Sequence, residues 1–320
     1  MIEKVKKNIF ISMAIAAMLY LGFMVYADYK NVIAAFMKFN WYWLPVILLL
    51  TFLNYLTRFF KWDYYLRVLK IKLTKMDSFA IFMSGLIMSV TPGKMGELLK
   101  AYLVKQVAHE PISRTAPIII VERITDFISL VLLSLAGALV FNYGRIVVLG
   151  TGVFFILLTL IISNKRLSLQ IISQIEKIKF LHGHGEKIRT AYESSYNLLR
   201  PWPLVYMVLI SLVSWSFECL GYYIILINFG INLSILWSTF VYTFSTIAGA
   251  ITMLPGGLGV TDGSLTFLLV QKNIAKDLAV SSTFIIRVVT LWFAVLIGVI
   301  SVSFYQSRYG KVALENAGNS

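Results

Sequence analysis

Two arginines, Arg123 and Arg287, stand inside otherwise apolar stretches, where a charge is costly and therefore marks a site. A guanidinium offers a planar fork of donors that suits phosphate. Beside the first stand Glu122 and Asp126, and Asp126 lies at i,i+3 on the same helical face as Arg123. That spacing fits a buried ion pair that fixes packing as well as it fits a ligand site. Arg287 has no acidic residue within four positions and needs a partner from elsewhere. Two Pro-Gly breaks add donors: Pro92-Gly93-Lys94-Met95-Gly96 and Pro255-Gly256-Gly257-Leu258-Gly259. A helix starting after either break points free N–H groups and a positive dipole end at an anion. Lys94 reinforces the first. Glu97 and Asp262 fall in the first turns that follow, as helix caps or as proton-handling groups. Glu218, inside the apolar run 203–229, is a candidate proton carrier for coupled transport.

Enzyme signatures are missing. His182-Gly183-His184 is a weak metal pattern with no cysteine near it, and there is no His-Glu-x-x-His, P-loop, nucleotide fingerprint or Gly-x-Ser-x-Gly elbow. No catalytic residue, metal or cofactor is expected.

Holding these residues requires a membrane. Of the 320 residues 58% are hydrophobic and 14% charged, and the mean hydropathy is +0.79; soluble domains carry about 25% charged residues. The formal net charge of +14 does not point to nucleic acid, because the basic residues flank apolar runs, the pattern of leaflet anchors. Six runs are long enough to cross a core of about 30 Å: 8–27, 43–60, 115–141, 146–163, 203–229 and 280–304. Trp41, Trp43, Trp202 and Trp237 stand near span ends and read as an interfacial belt. Residues 77–91 are too short to cross, and 235–254 end at the second Pro-Gly break. Each reads as half of a re-entrant hairpin, a device tolerated only inside protein or along a wet cavity, although 235–254 could also span alone.

With both hairpins returning to their side of entry, one side collects about 22 of the 29 Lys and Arg and the other about 5. Both termini are therefore expected in the cytoplasm of a multi-pass cell-membrane protein. The prolines of the two breaks stand 163 residues apart, with Arg123 31 residues after the first and Arg287 32 after the second. Three crossings per half would make the second half inverted, a transporter architecture. The expectation is an all-α polytopic protein of six spans and two hairpins. One integral domain covers 1–305, in halves of about 1–145 and 146–305, with a short cytoplasmic tail at 306–320. A basic stretch, 164–201, joins the halves as amphipathic helices on the cytoplasmic leaflet, on the spacing of Ile171, Ile172, Ile175 and Ile178.

The chain also resembles the transmembrane region of the lysylphosphatidylglycerol synthase family, a group of flippase-like membrane proteins. The resemblance rests on Thr91-Pro92-Gly93-Lys94-Met95-Gly96-Glu97, Lys100-Ala101-Tyr102-Leu103, Glu122-Arg123-Ile124-Thr125-Asp126 and Leu254-Pro255-Gly256-Gly257-Leu258-Gly259-Val260-Thr261-Asp262-Gly263. It departs from the family at Lys100, where an arginine is frequent. Bifunctional members carry a cytosolic aminoacyltransferase domain, for which the residues after Val302 leave no room. The resemblance thus implies the translocating half without the synthase.

The expected function is movement of an anionic or zwitterionic lipid, aminoacyl-phospholipid or polyprenyl-phosphate in type, between leaflets. Membrane lipids are the expected partners, and assembly into a homo-oligomer is compatible with the sequence. Two other classes stay open: a membrane enzyme or glycosyltransferase accessory acting on lipid phosphates, and a small-solute or ion transporter.

Overall fold

Each apolar run folds as a helix, because a chain in hydrocarbon must satisfy its own backbone groups. The computed structural model describes residues 2–91, 97–175 and 185–309. Expectations placed on Gly93, Lys94, Gly96, Ile178, the His182–His184 pair and the tail beyond Tyr309 fall outside the described residues.

Every regular element among the described residues is helical. The first half contributes α1 (Ile2–Tyr26), α2 (Tyr29–Lys38), α3 (Leu44–Val68), α4 (Lys75–Gly85), α5 (Leu98–Ala108) and α6 (Ile112–Phe141). The second contributes α7 (Arg145–Ser163), α8 (Lys165–Ile175), α9 (Gly185–Leu198), α10 (Pro201–Asn228), α11 (Ile235–Ile251), α12 (Val260–Val270), α13 (Lys276–Arg287) and α14 (Phe293–Tyr309). A π-helical turn, Val288–Trp292, joins α13 to α14 in one continuous path. Among the described residues five helical stretches are long and apolar enough to cross a membrane: Trp41–Val68, Ile112–Phe141, Arg145–Ser163, Pro201–Asn228 and Lys276–Tyr309. Ile11–Tyr26 of α1 and the following α2 reach that length and hydropathy only together, and they are bent by 97° where the Asp28 carboxylate accepts the Lys30 N–H and starts α2.

The same connection is built twice. α3 ends with Lys70 at φ 57°, and α10 ends with Gly230 at φ 73°. The following N–H, of Ile71 or Ile231, donates back to Leu66 or Leu226 at 2.9 Å in both cases, the Schellman closure of a helix end. Thr74 then caps α4 and Ser234 caps α11, each accepting the N–H three residues on. The two copies stand 160 residues apart. α3 and α10 themselves pack antiparallel, joined by Asn40 and Asn228 at one end and by Asn54 Nδ2 donating to the Ser214 carbonyl at 2.8 Å further along.

α11 has 17 residues, about 25 Å of helix. Residues 235–254 are therefore half of a hairpin: the helix stops at Ile251, the Pro255–Gly257 turn reverses the chain, and α12 packs back along α11. Met253, Gly256, Gly257 and Gly259 all take positive φ in this reversal, conformations that glycine adopts without strain. α4 tightens into a narrow turn at Leu86–Val90, and α5 packs against α4. Segment Leu86–Val90, which continues α4, touches the Pro255–Gly257 turn of the second hairpin. α14 runs beside the first hairpin, where a Cβ on Gly298 would fall 2.1 Å from the Ile87 nitrogen.

Three expectations are corrected. α3 continues past residue 60 to Val68, so Arg58 and Lys61 lie within the helix and are buried. α9 packs against α6 and buries Tyr192 and Leu198, so this part of the 164–201 linker belongs to the helical body rather than lying free on a leaflet. Trp237 is not interfacial: it is buried at the start of α11 against Phe141 and Phe240, whereas Trp41, Trp43 and Trp202 are exposed.

Candidate functional site

α6 crosses the middle of the body and carries Glu122, Arg123 and Asp126 on the face that meets α3, α5 and α10. Asp126 Oδ1 receives Lys61 Nζ of α3 at 2.8 Å and Ser211 Oγ of α10 at 3.0 Å. Its Oδ2 lies 3.3 Å from Arg123 Nη2 and 4.0 Å from Arg58 Nη2. Lys61 also donates to Ser211 Oγ and to the Glu122 carbonyl, at 2.7 and 3.2 Å. Glu122 faces Lys100 of α5, whose Nζ approaches Oε2 at 2.6 Å and lies over the Trp62 ring. Glu97 bridges the two groups, 3.4 Å from Lys100 and 3.4 Å from Arg123. Four cations and three carboxylates thus share one buried network, in which each carboxylate has at least one cation in contact.

The second hairpin holds its own pair. Arg287, at the end of α13, places Nε 3.0 Å from Asp262 Oδ1 and donates through Nη2 to the Gly256 carbonyl. Asp262 Oδ2 accepts the Gly259 N–H at 2.8 Å. Asp262 thus supplies the partner that Arg287 lacks locally and also caps α12. This corrects one expectation: the Gly259 N–H is spent on Asp262 and does not stand free for an anion. Gly256 contributes its carbonyl to Arg287. Glu218 of α10 accepts the Tyr242 hydroxyl at 2.6 Å.

Two cavities connect these groups. The outer one, about 540 Å³, lies between α6, α7 and α11 and is walled largely by apolar side chains such as Phe127, Leu130, Phe154 and Met253, with Arg123 and Asp126 supplying its charged end. Phe154, Leu157 and Leu160 of the adjoining α7 are exposed, so this side of the molecule is apolar outward as well. The inner cavity, about 110 Å³, is lined by Arg58, Glu218, Tyr242 and Arg287 among others. Trp215, Thr246, Ala250, Gly256 and Gly257 line both. Of the expected site residues, Arg123, Asp126, Gly256 and Gly257 line the outer cavity, and Glu218 and Arg287 the inner. Glu97, Glu122, Asp262 and Gly259 support them from behind.

Arg58 and Lys61 escape a reading by local sequence, as does the buried pairing of Lys100. A signal for the first two exists in the buried polar face of α3, where Thr51, Asn54, Arg58 and Lys61 recur at helical spacing within an apolar run. Among the described residues no group of three or more metal-ligating side chains comes together.

Comparison with known proteins places this architecture. A UPF0104 membrane protein of Methanocaldococcus jannaschii is 27% identical over 222 residues, 68% of this chain and 92% of its own length. A second one from that organism is 22% identical over 322 residues, covering 94% of this chain and 96% of its own length. A UPF0104 membrane protein of Methanothermobacter thermautotrophicus is 24% identical over 281 residues, 80% of this chain and 83% of its own. The model of the lysylphosphatidylglycerol synthase transmembrane region matches residues 9–298, a stretch that holds the buried charge network, both hairpins and both cavities. The chain is an integral membrane protein belonging to the lysylphosphatidylglycerol synthase transmembrane region family.

Proposed function

We propose that the protein carries an anionic or zwitterionic lipid, aminoacyl-phospholipid or polyprenyl-phosphate in type, between the two leaflets. One observation carries the reading: an apolar cavity of about 540 Å³ ends on a charged pair, Arg123 and Asp126, and adjoins a smaller cavity whose lining includes Arg58, Glu218 and Arg287. Apolar walls suit acyl or prenyl chains, and the arginine fork suits the phosphate. A small polar solute would leave most of those walls facing water, which argues against the solute-transporter reading. The carboxylates lining the two cavities, Asp126 and Glu218, are held by Lys61 and by the Tyr242 hydroxyl, so the proposal assigns no bond-making step.

In this reading the two halves are inverted copies with both termini in the cytoplasm, and the meeting hairpins form the gate. The repeated turn at Lys70 and Gly230 and the antiparallel packing of α3 on α10 support it. Reconstitution into vesicles holding fluorescent phospholipids tests the function. Protein-dependent movement of label between leaflets, with no chemical turnover, is expected. Turnover of the lipid would shift the assignment to an enzyme, and solute flux without lipid movement to a solute carrier.

A further inference from the structure

Arg58 differs from every other cation in the buried network. Its side chain is 10% exposed, its one ion-pair contact is Asp126 at 4.0 Å, and among the described residues it donates no hydrogen bond. Lys61, one turn along α3, spends its donors on Asp126, Ser211 and the Glu122 carbonyl. Lys100 is held by Glu122 and Glu97. Arg287 is held by Asp262 and the Gly256 carbonyl. A guanidinium carries five N–H donors in a fixed fork. Arg58 keeps its fork open while lining the inner cavity.

A buried donor without a partner lines the same space. The indole Nε1 of Trp215 is buried without a hydrogen-bond partner, and Trp215 lines both cavities. Asp126, the carboxylate in contact with Arg58, is already neutralised by Lys61 and Arg123. Arg58 is therefore a cation with donors to spare: its one ion pair is shared with Lys61 and Arg123, and Glu218, the other carboxylate lining the same cavity, takes its hydrogen bond from Tyr242. The inner cavity, at about 110 Å³, accepts a compact group such as phosphate but not a lipid chain, for which the adjoining outer cavity has the volume and the apolar walls.

We infer that Arg58 is the seat of the lipid phosphate: the phosphate enters the inner cavity and takes the Arg58 fork, with Trp215 Nε1 as a further donor, while the chains remain in the outer cavity. Arg287 then acts as a positioning residue, tethering through Gly256 the turn that walls both cavities. This rests on the lipid reading above and adds to it the residue and the ligand group.

Binding and transport are measured separately. Purified protein in detergent is titrated with short-chain phosphatidylglycerol, with diacylglycerol of the same chains and with inorganic phosphate, and thermal stability is followed. Phosphatidylglycerol raises the wild-type melting temperature, whereas diacylglycerol and inorganic phosphate at equal concentration do not. Arg58→Ala weakens the apparent lipid affinity at least tenfold, Arg58→Lys weakens it several-fold, and Arg67→Ala, on the exposed end of the same helix, leaves it unchanged. Should Arg58→Ala fail to insert, Arg58→Lys carries the test, because it keeps the charge and loses the fork. Undiminished affinity in the Arg58 variants overturns the seat. Stabilisation by inorganic phosphate alone overturns the lipid as its source. Arg58-dependent binding in a protein that moves no lipid upholds the seat and overturns only the translocation reading.

Discussion

Lys61 and Asp126 meet at 2.8 Å in the interior, and Ser211 hydrogen-bonds to both. The contact ties α3, α6 and α10 together, with both charged side chains almost completely buried. Removing Asp126 strands Lys61, at a cost of about 3–5 kcal/mol for a buried pair, whereas removing Lys61 leaves Asp126 with Arg123 at 3.3 Å and Arg58 at 4.0 Å. Asp126→Leu is therefore expected to lower expression and the melting temperature in detergent sharply, and Lys61→Met less so. Lys61→Met with Asp126→Leu recovers only part of the loss, because Arg58 and Arg123 lose the same carboxylate. A single substitution as stable as the wild type would show that the pair does not organise the core.

Arg123 behaves differently, because Asp126 keeps Lys61 when Arg123 is removed, and Glu97 keeps Lys100. Arg123→Ala should leave insertion and melting temperature close to wild type while abolishing lipid movement in vesicles. Arg123→Lys keeps the charge without the fork, and activity should fall without vanishing. A stability loss as large as that of Asp126→Leu would make Arg123 a packing residue rather than a ligand contact. Pairing it with Asp126→Ala is not a rescue, since that change strands Lys61.

How far the site could be read in advance depended on where each partner lies in the chain. Arg123 and Asp126 are three residues apart, and their pairing shows in the local spacing. The Pro-Gly breaks show because proline and glycine interrupt a helix wherever they stand. Arg58 and Lys61 sit where an apolar run gives way to charge, which reads as a helix leaving the membrane. Asp126, 65 residues beyond Lys61, the Glu122 carbonyl and Ser211, 150 beyond it, draw Lys61 inward. Asp262 reads as a helix cap, which it is, yet its second oxygen is used by Arg287 from another helix. Local patterns fix periodicity and breaks, whereas a buried charge is fixed by contacts that only the tertiary fold creates.

Gly298 sets how closely α14 approaches the first hairpin. A methyl group there would fall 2.1 Å from the Ile87 nitrogen and 2.6 Å from its Cα, and both are backbone atoms that cannot rotate away. Gly298→Ala must push α14 off the Leu86–Val90 segment, and overpacking typically costs about 1–3 kcal/mol. Gly263→Ala, where no atom lies within 4 Å, should be neutral in the same melting assay. Equal melting temperatures for the two would mean that the hairpin and α14 are not closely packed.

The proposed orientation is open to labelling. Cys219 is buried, so a Cys219→Ala background leaves introduced cysteines as the reporters. A cysteine replacing the exposed Glu186 of α9 should react with a membrane-impermeant maleimide only after the cells are opened. One replacing the exposed Lys272, between α12 and α13, should react in intact cells. Reversed reactivity would turn the molecule over in the membrane, and reaction of both positions from the same side would break the inverted relation of the halves.

Asp262 makes one hydrogen bond and one ion pair, which can be separated by chemistry. Its Oδ2 accepts the Gly259 N–H and starts α12, and its Oδ1 faces Arg287 Nε at 3.0 Å. Asp262→Asn keeps an acceptor for Gly259 and removes the charge, so it tests the ion pair. Asp262→Ala removes both, adding the loss of a cap, about 0.5–2 kcal/mol, to the cost of a stranded buried arginine. The melting temperature should therefore fall in the order wild type, Asp262→Asn, Asp262→Ala. Arg287→Gln in the Asp262→Asn background replaces the ion pair by two amides that can hydrogen-bond, and most of the stability should return. Transport should not return with it if Arg287 holds the Gly256 turn against the cavities, because the shorter amide has no fork with which to bridge the side chain at position 262 and the Gly256 carbonyl together. Restored lipid movement in that double variant would reduce the Arg287–Asp262 pair to a structural strut and leave the inner cavity to Arg58 and Trp215.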